Sequence, residues 1–410
     1  MELSEKLYKL QGKILHYAWG GYDFLPSFLG IANTDHRPFA EYWMGAHPSA
    51  PSELIVAGQP VALDGLIRDE PTVLLSAGVA ELFSGLPYLF KVQDVREILS
   101  IQVHPSREEA QKGFEREEAA GIPITAPHRN YKDRNHKPEM LVALSEFWLL
   151  HGFKQKAEIE ATLASIYEFK VLLPYYKREG LKALYGMVME MEQQEINALL
   201  RDLVKREIRN WNDGLLTKEM PGWWVAKLYQ SGNPVQEIDR AVFSIYLFNI
   251  VKLNPGEALF QGAGVPHAYL EGQDVELMAN SDNVLRAGLT PKHIDVPELI
   301  KHTSFEPVTP RILQGVPGLT GETLYPCPVK DFGIARIELT SGTAYSNTAA
   351  SFEILVVTEG GAVINNSMVL KRGEAVAVLA GGEYTIQASG HSTLFKAFVP
   401  PIASSQAGEN

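Results

Sequence analysis

The chain of 410 residues contains one cysteine, Cys327. No intramolecular disulfide can form, and no cysteine-rich zinc ribbon can be built. Between Pro326 and Pro328, Cys327 reads as a small packing residue. The start, Met1-Glu2-Leu3-Ser4-Glu5-Lys6, lacks the cationic-then-apolar pattern of a secretory leader. No uninterrupted apolar run is long enough to cross a bilayer. We therefore expect no membrane partner and a cytoplasmic location. Positive charge is also short: 37 Lys and Arg stand against 49 Asp and Glu, a formal net charge of -12. Such a chain repels polyanions, so no nucleic-acid partner is expected. Gly262-Ala263-Gly264 lacks the strand–loop–helix setting of a dinucleotide fingerprint, so no nucleotide cofactor is expected either.

What is present is ordinary for a folded protein: 45% hydrophobic and 21% charged residues, at a length that suits two or three domains. Residues 87–92, 97–103 and 139–144 read as strands, and 106–118 as a helix opened by Pro105-Ser106. From Lys156 to about Arg209 the texture changes. Glycine is scarce, and apolar residues recur at helical spacing, as in Ile159, Leu163, Ile166 and Ile196, Leu199, Leu200, Leu203. This module is expected to pack and shape one edge of the molecule. Strand signals return at 241–247 and continue through 258–260 and 275–278. Short strands at 352–357, 362–364, 375–379 and 393–398 alternate with glycine turns. The expected architecture is mainly β with an inserted α-helical module: one strand-rich unit from 1–154 and 241–310, a helical insertion at 155–240, a second strand-rich unit at 311–400, and a tail at 401–410, frayed from Ala403 onward.

Three strand-like segments each carry a metal donor with a polar neighbour two residues away. The pairs are Gln102 with His104, Lys137 with Glu139, and His267 with Tyr269. Residues two apart on a strand share a face. Two imidazoles, one carboxylate and one amide oxygen would make a four-donor site with room for water or substrate, the layout of a catalytic divalent-metal site. Singly, each histidine could be an ordinary surface or hydrogen-bonded residue. His47 competes as a ligand, and so does His136, although an extended segment points it away from Lys137 and Glu139. His391 is the one histidine of the second strand-rich unit, too few for a site there.

The segments Ile101-Gln102-Val103-His104-Pro105, Asn135-His136-Lys137-Pro138-Glu139-Met140 and Val265-Pro266-His267-Ala268-Tyr269 resemble, in this order, the type I mannose-6-phosphate isomerases. Tyr17-Ala18-Trp19-Gly20, Ala40-Glu41-Tyr42-Trp43-Met44-Gly45 and the run 281–292 agree. The turn Asn254-Pro255-Gly256-Glu257, followed by Gly262, Gly264, Pro266 and His267, resembles the turn-and-histidine motif of cupin barrels. The resemblance implies two cupin-like, jelly-roll β-barrels plus the helical module. It implies one Zn²⁺ per chain on Gln102, His104, Glu139 and His267. One carboxylate among neutral donors would leave that ion a net charge of about +1, useful against a developing oxyanion.

The implied reaction interconverts D-mannose 6-phosphate and D-fructose 6-phosphate through a cis-enediolate. Glu276 matches the family's proposed C1–C2 proton carrier; Lys137 is the rival carrier, and Asp274 shares its predicted face. Asp282 and Lys292 match positions linked to ring opening. Tyr269 would donate to a sugar oxygen, and Arg286 would sit in the active site. Lys91 and Ser100 match phosphate contacts, a cationic pocket that an acidic protein needs for an anionic substrate. Trp19 would line the pocket, and Glu41 would support a metal ligand by a hydrogen bond. Two other classes stay open on residues alone: another metal-dependent cupin enzyme, such as an iron dioxygenase or decarboxylase, and a sugar-binding protein without catalysis. The first usually brings more histidines to the metal; the second has no need of Glu276 as a proton carrier.

Overall fold

The structure, a computed structural model, describes residues 3–230 and 235–401. The tail expected from Ala403 onward lies outside the described residues. Strands and helices both contribute heavily, so the chain is a mixed α and β protein rather than a mainly β one. Short helices also occur outside the insertion, at Phe24–Leu29, Leu63–Asp69, Pro71–Leu75, Ala77–Phe83 and Val296–His302.

One strand organises the site. His267–Ala279 runs for 13 residues and changes partners halfway. Its first half pairs with Phe147–Phe153 and with Gln102, its second half with Tyr88–Val95 and Glu139–Ala143, all antiparallel. The switch falls at Gly272, whose φ is +132°. A Cβ there would lie 2.6 Å from the Glu146 carbonyl oxygen, so only glycine fits the bend. His267 and Glu276 are thereby placed on two differently partnered halves of one strand.

A second sheet joins the two ends of the chain. Leu7–Gln11 pairs on one side with Glu53–Val56 and on the other with Ala375–Val378. One continuous apolar core unites Leu10, Leu54 and Phe90 with Ile354, Ala377 and Phe395. A four-stranded sheet, including Ala344–Thr348 and Glu383–Gln387, belongs to residues 344–387.

Two local expectations fail. The segment Ala241–Leu247 is a helix, not a strand, with all seven residues buried. An apolar run buried on every side carries no period to separate the two states. The helical insertion supplies the partners: Phe243 stacks on Phe169 with ring centroids 5.2 Å apart, and Ser244 Oγ lies 2.9 Å from the Tyr185 hydroxyl. Of the strand expected at 97–103 only Gln102–Val103 forms. The preceding residues run irregularly along a cavity wall, tied by the Leu99 amide to the Tyr269 carbonyl (2.9 Å). The helix expected after Pro105 is present as Arg107–Ala119, with Ser106 Oγ accepting from the Glu109 amide at 3.3 Å.

Candidate active site

His104, Glu139 and His267 converge although they come from three separate segments. Each offers a donor atom, and the three atoms lie within 4.8 Å of one another. Glu139 Oε1 is 3.3 Å from His104 Nε2, and Glu139 Oε2 is 3.2 Å from His267 Nε2. All three side chains are buried. The second ring nitrogens explain the aim. His104 Nδ1 lies 2.8 Å from the Asn283 carbonyl and His267 Nδ1 2.9 Å from the Val265 carbonyl. A carbonyl only accepts, so each Nδ1 carries a proton, and each Nε2 is turned toward Glu139; His104, kept neutral by burial, presents a lone pair there. Lone pairs facing a carboxylate repel unless a cation stands between them. Among the described residues His104 Nε2 accordingly has no hydrogen-bond partner.

The electrostatics agree. Burial pushes the His104 pKa down to about 4, so the imidazole is neutral, as a metal ligand must be. Burial works to raise the pKa of Glu139, but the Lys137 ammonium, at 3.0 Å, works the other way and the carboxyl lies well below its ordinary range. Gln102 is the register partner of both His267 and Arg286, which puts it at the site's edge. A nitrogen-and-oxygen set without sulfur suits a catalytic Zn²⁺ with an open position.

Beside this cluster lies a cavity of about 1030 Å³. Gln102, Glu139 and His267 line it, as do Lys137, Tyr269, Glu276, Asp282, Arg286 and Lys292. So do Lys91, Ser100, Trp19 and Glu41. His104, fully buried, stands behind that wall. Thus the structure brings together all fourteen residues singled out from the sequence. The competitors stand apart from the metal donors. His47 Nε2 is 3.3 Å from Asp282, and His136 faces Asp331 at 3.1 Å. Cys327 packs against the core with its thiol pushed up to about 12 by burial, which makes it inert.

Glu276 is held on both oxygens. Oε1 accepts from the Tyr269 hydroxyl at 2.7 Å; Oε2 accepts from Lys91 Nζ at 2.7 Å and Gln93 Nε2 at 3.3 Å. Burial raises its pKa, and Lys91 only partly offsets this. Lys91 stays cationic, because Glu276 and Glu41 outweigh the burial that would lower it. Its ammonium is therefore committed to two carboxylates rather than open to a phosphate. Glu41 bonds Trp43 Nε1 (2.7 Å) and Gln93 Nε2 (2.6 Å), not a metal ligand. Asp274 is fully buried, with neither carboxylate oxygen hydrogen-bonded, and does not line the cavity.

Arg286 and Lys292 behave differently. Burial lowers both pKa values, and for Lys292 the charge of Arg286 adds to the effect. Among the described residues neither side chain forms an ion pair. Both cations line the cavity.

The sequence reading missed part of the wall. Lys227, Tyr229 and Asp239 reach the cavity from the helical insertion and its exit. No local motif marks them, because the insertion touches the site only through tertiary packing. Gln93 was findable: it sits two residues from Lys91 on a strand, hence on the same face.

A family model described as phosphomannose isomerase type I, catalytic domain, matches residues 7–156. The mannose-6-phosphate isomerase of Salmonella typhimurium is 38% identical over 400 residues, covering 95% of this chain and 99% of that protein. The enzyme of Macaca fascicularis is 34% identical over 388 residues, covering 87% of this chain and 88% of its own. Among solved structures, the Salmonella typhimurium enzyme bound to fructose 6-phosphate and zinc superposes with a TM-score of 0.86 at 36% identity, over 97% of this chain and 100% of that one. A zinc-bound mannose 6-phosphate isomerase matches equally well, with a TM-score of 0.86. With the donor cluster, the clamped carboxylate and likeness along nearly its whole length in agreement, the chain belongs to the mannose-6-phosphate isomerases of the type I family.

Proposed function

We propose that this protein interconverts D-mannose 6-phosphate and D-fructose 6-phosphate, with one Zn²⁺ held by Gln102, His104, Glu139 and His267. The observation that carries the reading is the convergence of two imidazole Nε2 atoms on one buried carboxylate, in the wall of the cavity that Glu276 also lines. Zinc held there would supply positive charge against the oxyanion that develops during isomerisation.

The remaining work falls to side chains. Glu276 takes the proton from one carbon and returns it to its neighbour by way of a cis-enediolate. Its burial-raised pKa suits a group that must both accept and release a proton. Tyr269 and Lys91 fix its two oxygens, so the carboxylate meets the substrate in one orientation. Asp282, paired with His47 at the rim, moves the proton needed for ring opening. Lys137 holds Glu139 ionised. Arg286 and Lys292 take the phosphate, since neither has a carboxylate ion-pair partner among the described residues, and Ser100 lines the same cavity.

We further propose that the strand-rich units at 1–154 with 241–310 and at 311–400 are cupin-like barrels flanking the insertion 155–240. Among the described residues no helix is long and apolar enough to cross a membrane. A coupled assay that follows fructose 6-phosphate from mannose 6-phosphate tests the central claim. Turnover should vanish on chelation and return with zinc. Undiminished turnover in metal-stripped protein would sink it.

A further inference from the structure

We infer that Asp239 is a positioning residue: its carboxylate latches the loop 287–292 to the helical insertion in the backbone conformation that presents Arg286 and Lys292 to the substrate's phosphate. This rests on the phosphate assignment made above.

The latch is visible in four contacts. Asp239 Oδ2 accepts from the Leu289 amide at 2.8 Å, and Oδ1 accepts from the Ala241 amide at 2.8 Å. The Asp239 amide itself donates to the Tyr229 hydroxyl at 3.0 Å, which ties the carboxylate to the helix Pro221–Gln230. Across the loop, the Ala287 amide donates to the Ile101 carbonyl at 2.9 Å. The loop is thus gripped from the insertion on one side and from the Ser100–Gln102 wall on the other.

Backbone strain says that the grip matters. Leu289 has φ +55°, the left-handed region that a leucine avoids. Such a conformation persists only where the surroundings over-determine it, and it clusters at functional sites. Gly288 leaves no slack. An added Cβ would lie 2.6 Å from Ala241 Cβ and 2.8 Å from Asp239 Oδ1. The stretch between the two cations is therefore pressed against the start of the helix Ala241–Leu247 and held there by one carboxylate. Because both oxygens of Asp239 are engaged by amides, its charge is turned to the backbone rather than toward an incoming anion. This gives the helical insertion a part in substrate binding without placing any of its side chains on the reacting carbons.

Asp239→Asn keeps the size but leaves one of the two amides without an acceptor. We expect KM for mannose 6-phosphate to rise about tenfold, kcat to stay within about threefold, and zinc per chain to stay unchanged. Adding Leu289→Gly, which removes the steric cost of positive φ, should recover most of the lost affinity. A merely structural Asp239 would instead lower kcat or stability, with no rescue by glycine, and that result overturns the latch. Arg286→Ala separates the two claims. If it raises KM while Asp239→Asn does not, the latch is wrong and the phosphate assignment stands. If Arg286→Ala leaves KM unchanged, the phosphate assignment fails and the latch falls with it. Should Asp239→Asn not fold, hydrogen exchange on the unmodified protein decides. A protected Leu289 amide supports the latch, and exchange at the rate of an unstructured loop overturns it.

Discussion

Two buried polar clusters in this molecule each set a glutamate against a lysine and a tyrosine, and they differ in how fully their atoms are paired. In the C-terminal unit, Glu322 Oε1 accepts from Lys396 Nζ at 2.7 Å and from the Tyr345 hydroxyl at 3.0 Å, while Glu353 accepts from the Tyr384 hydroxyl at 2.6 Å. Every carboxylate there has its partners. In the catalytic unit, by contrast, His104 Nε2, both oxygens of Asp274 and one oxygen each of Gln93 and Gln261 have none among the described residues. A satisfied network specifies packing. An unsatisfied one waits for something else to complete it. Both clusters bury charge; the catalytic one also leaves atoms unpaired, His104 Nε2 among them.

Five experiments press on that contrast. The largest effect belongs to Glu139→Gln, which removes the charge that both imidazoles face. Zinc by metal analysis and turnover should be lost together, turnover by roughly 10³-fold or more. Retained zinc would break the contrast at its root. Next comes Glu276→Gln, for which turnover should fall by roughly 10²- to 10⁴-fold with zinc content unchanged. Loss of zinc alongside activity would make Glu276 structural. The pH profile of kcat sharpens the same point: because burial raises the Glu276 pKa, the acid limb should lie above the ordinary carboxylate range, with the rate falling as pH drops through it.

Lys396→Met probes the other interior. It strips a partner from Glu322 and should cost about 3 kcal/mol of stability in denaturant titrations, with kcat per folded molecule unchanged. A fall in kcat would make the C-terminal network functional. The smallest effect concerns His151, cross-strand neighbour of His267, which burial pushes down to about 4. Between about 6.5 and 4 the unfolded chain takes up a proton that the folded chain refuses, so stability falls as pH drops through that window. Thermal melts of metal-stripped protein at pH 6.5 and 5 should show part of this slope, roughly 2 kcal/mol, disappear in His151→Phe.

Much of the site was legible in the sequence because strand alternation preserves it. Gln102 with His104, Lys137 with Glu139 and His267 with Tyr269 are local pairs, and the bend at Gly272 then needs only antiparallel pairing to bring Glu276 alongside. The side-chain partners of Lys91 were not legible. Its register mate across the sheet is Glu276, 185 residues away, and no short motif encodes that pairing. Ala241–Leu247 misled for the opposite reason: its residues favour strands, and only the aromatic partners of the insertion make it helical. The insertion itself was read correctly as helical, but Tyr229 and Asp239 show that it also closes the cavity.

The pairing of Leu7–Gln11 with Ala375–Val378 bears on how the protein is made. A ribosome delivers the first of these strands almost a full chain length before the second. Until then Leu7–Gln11 has an uncovered hydrogen-bonding edge, the kind of surface on which nascent chains adhere to one another. Closing that sheet is a long-range event and therefore slow. Shortening the gene from its 3′ end would leave the opening strand of the catalytic unit permanently without its neighbour.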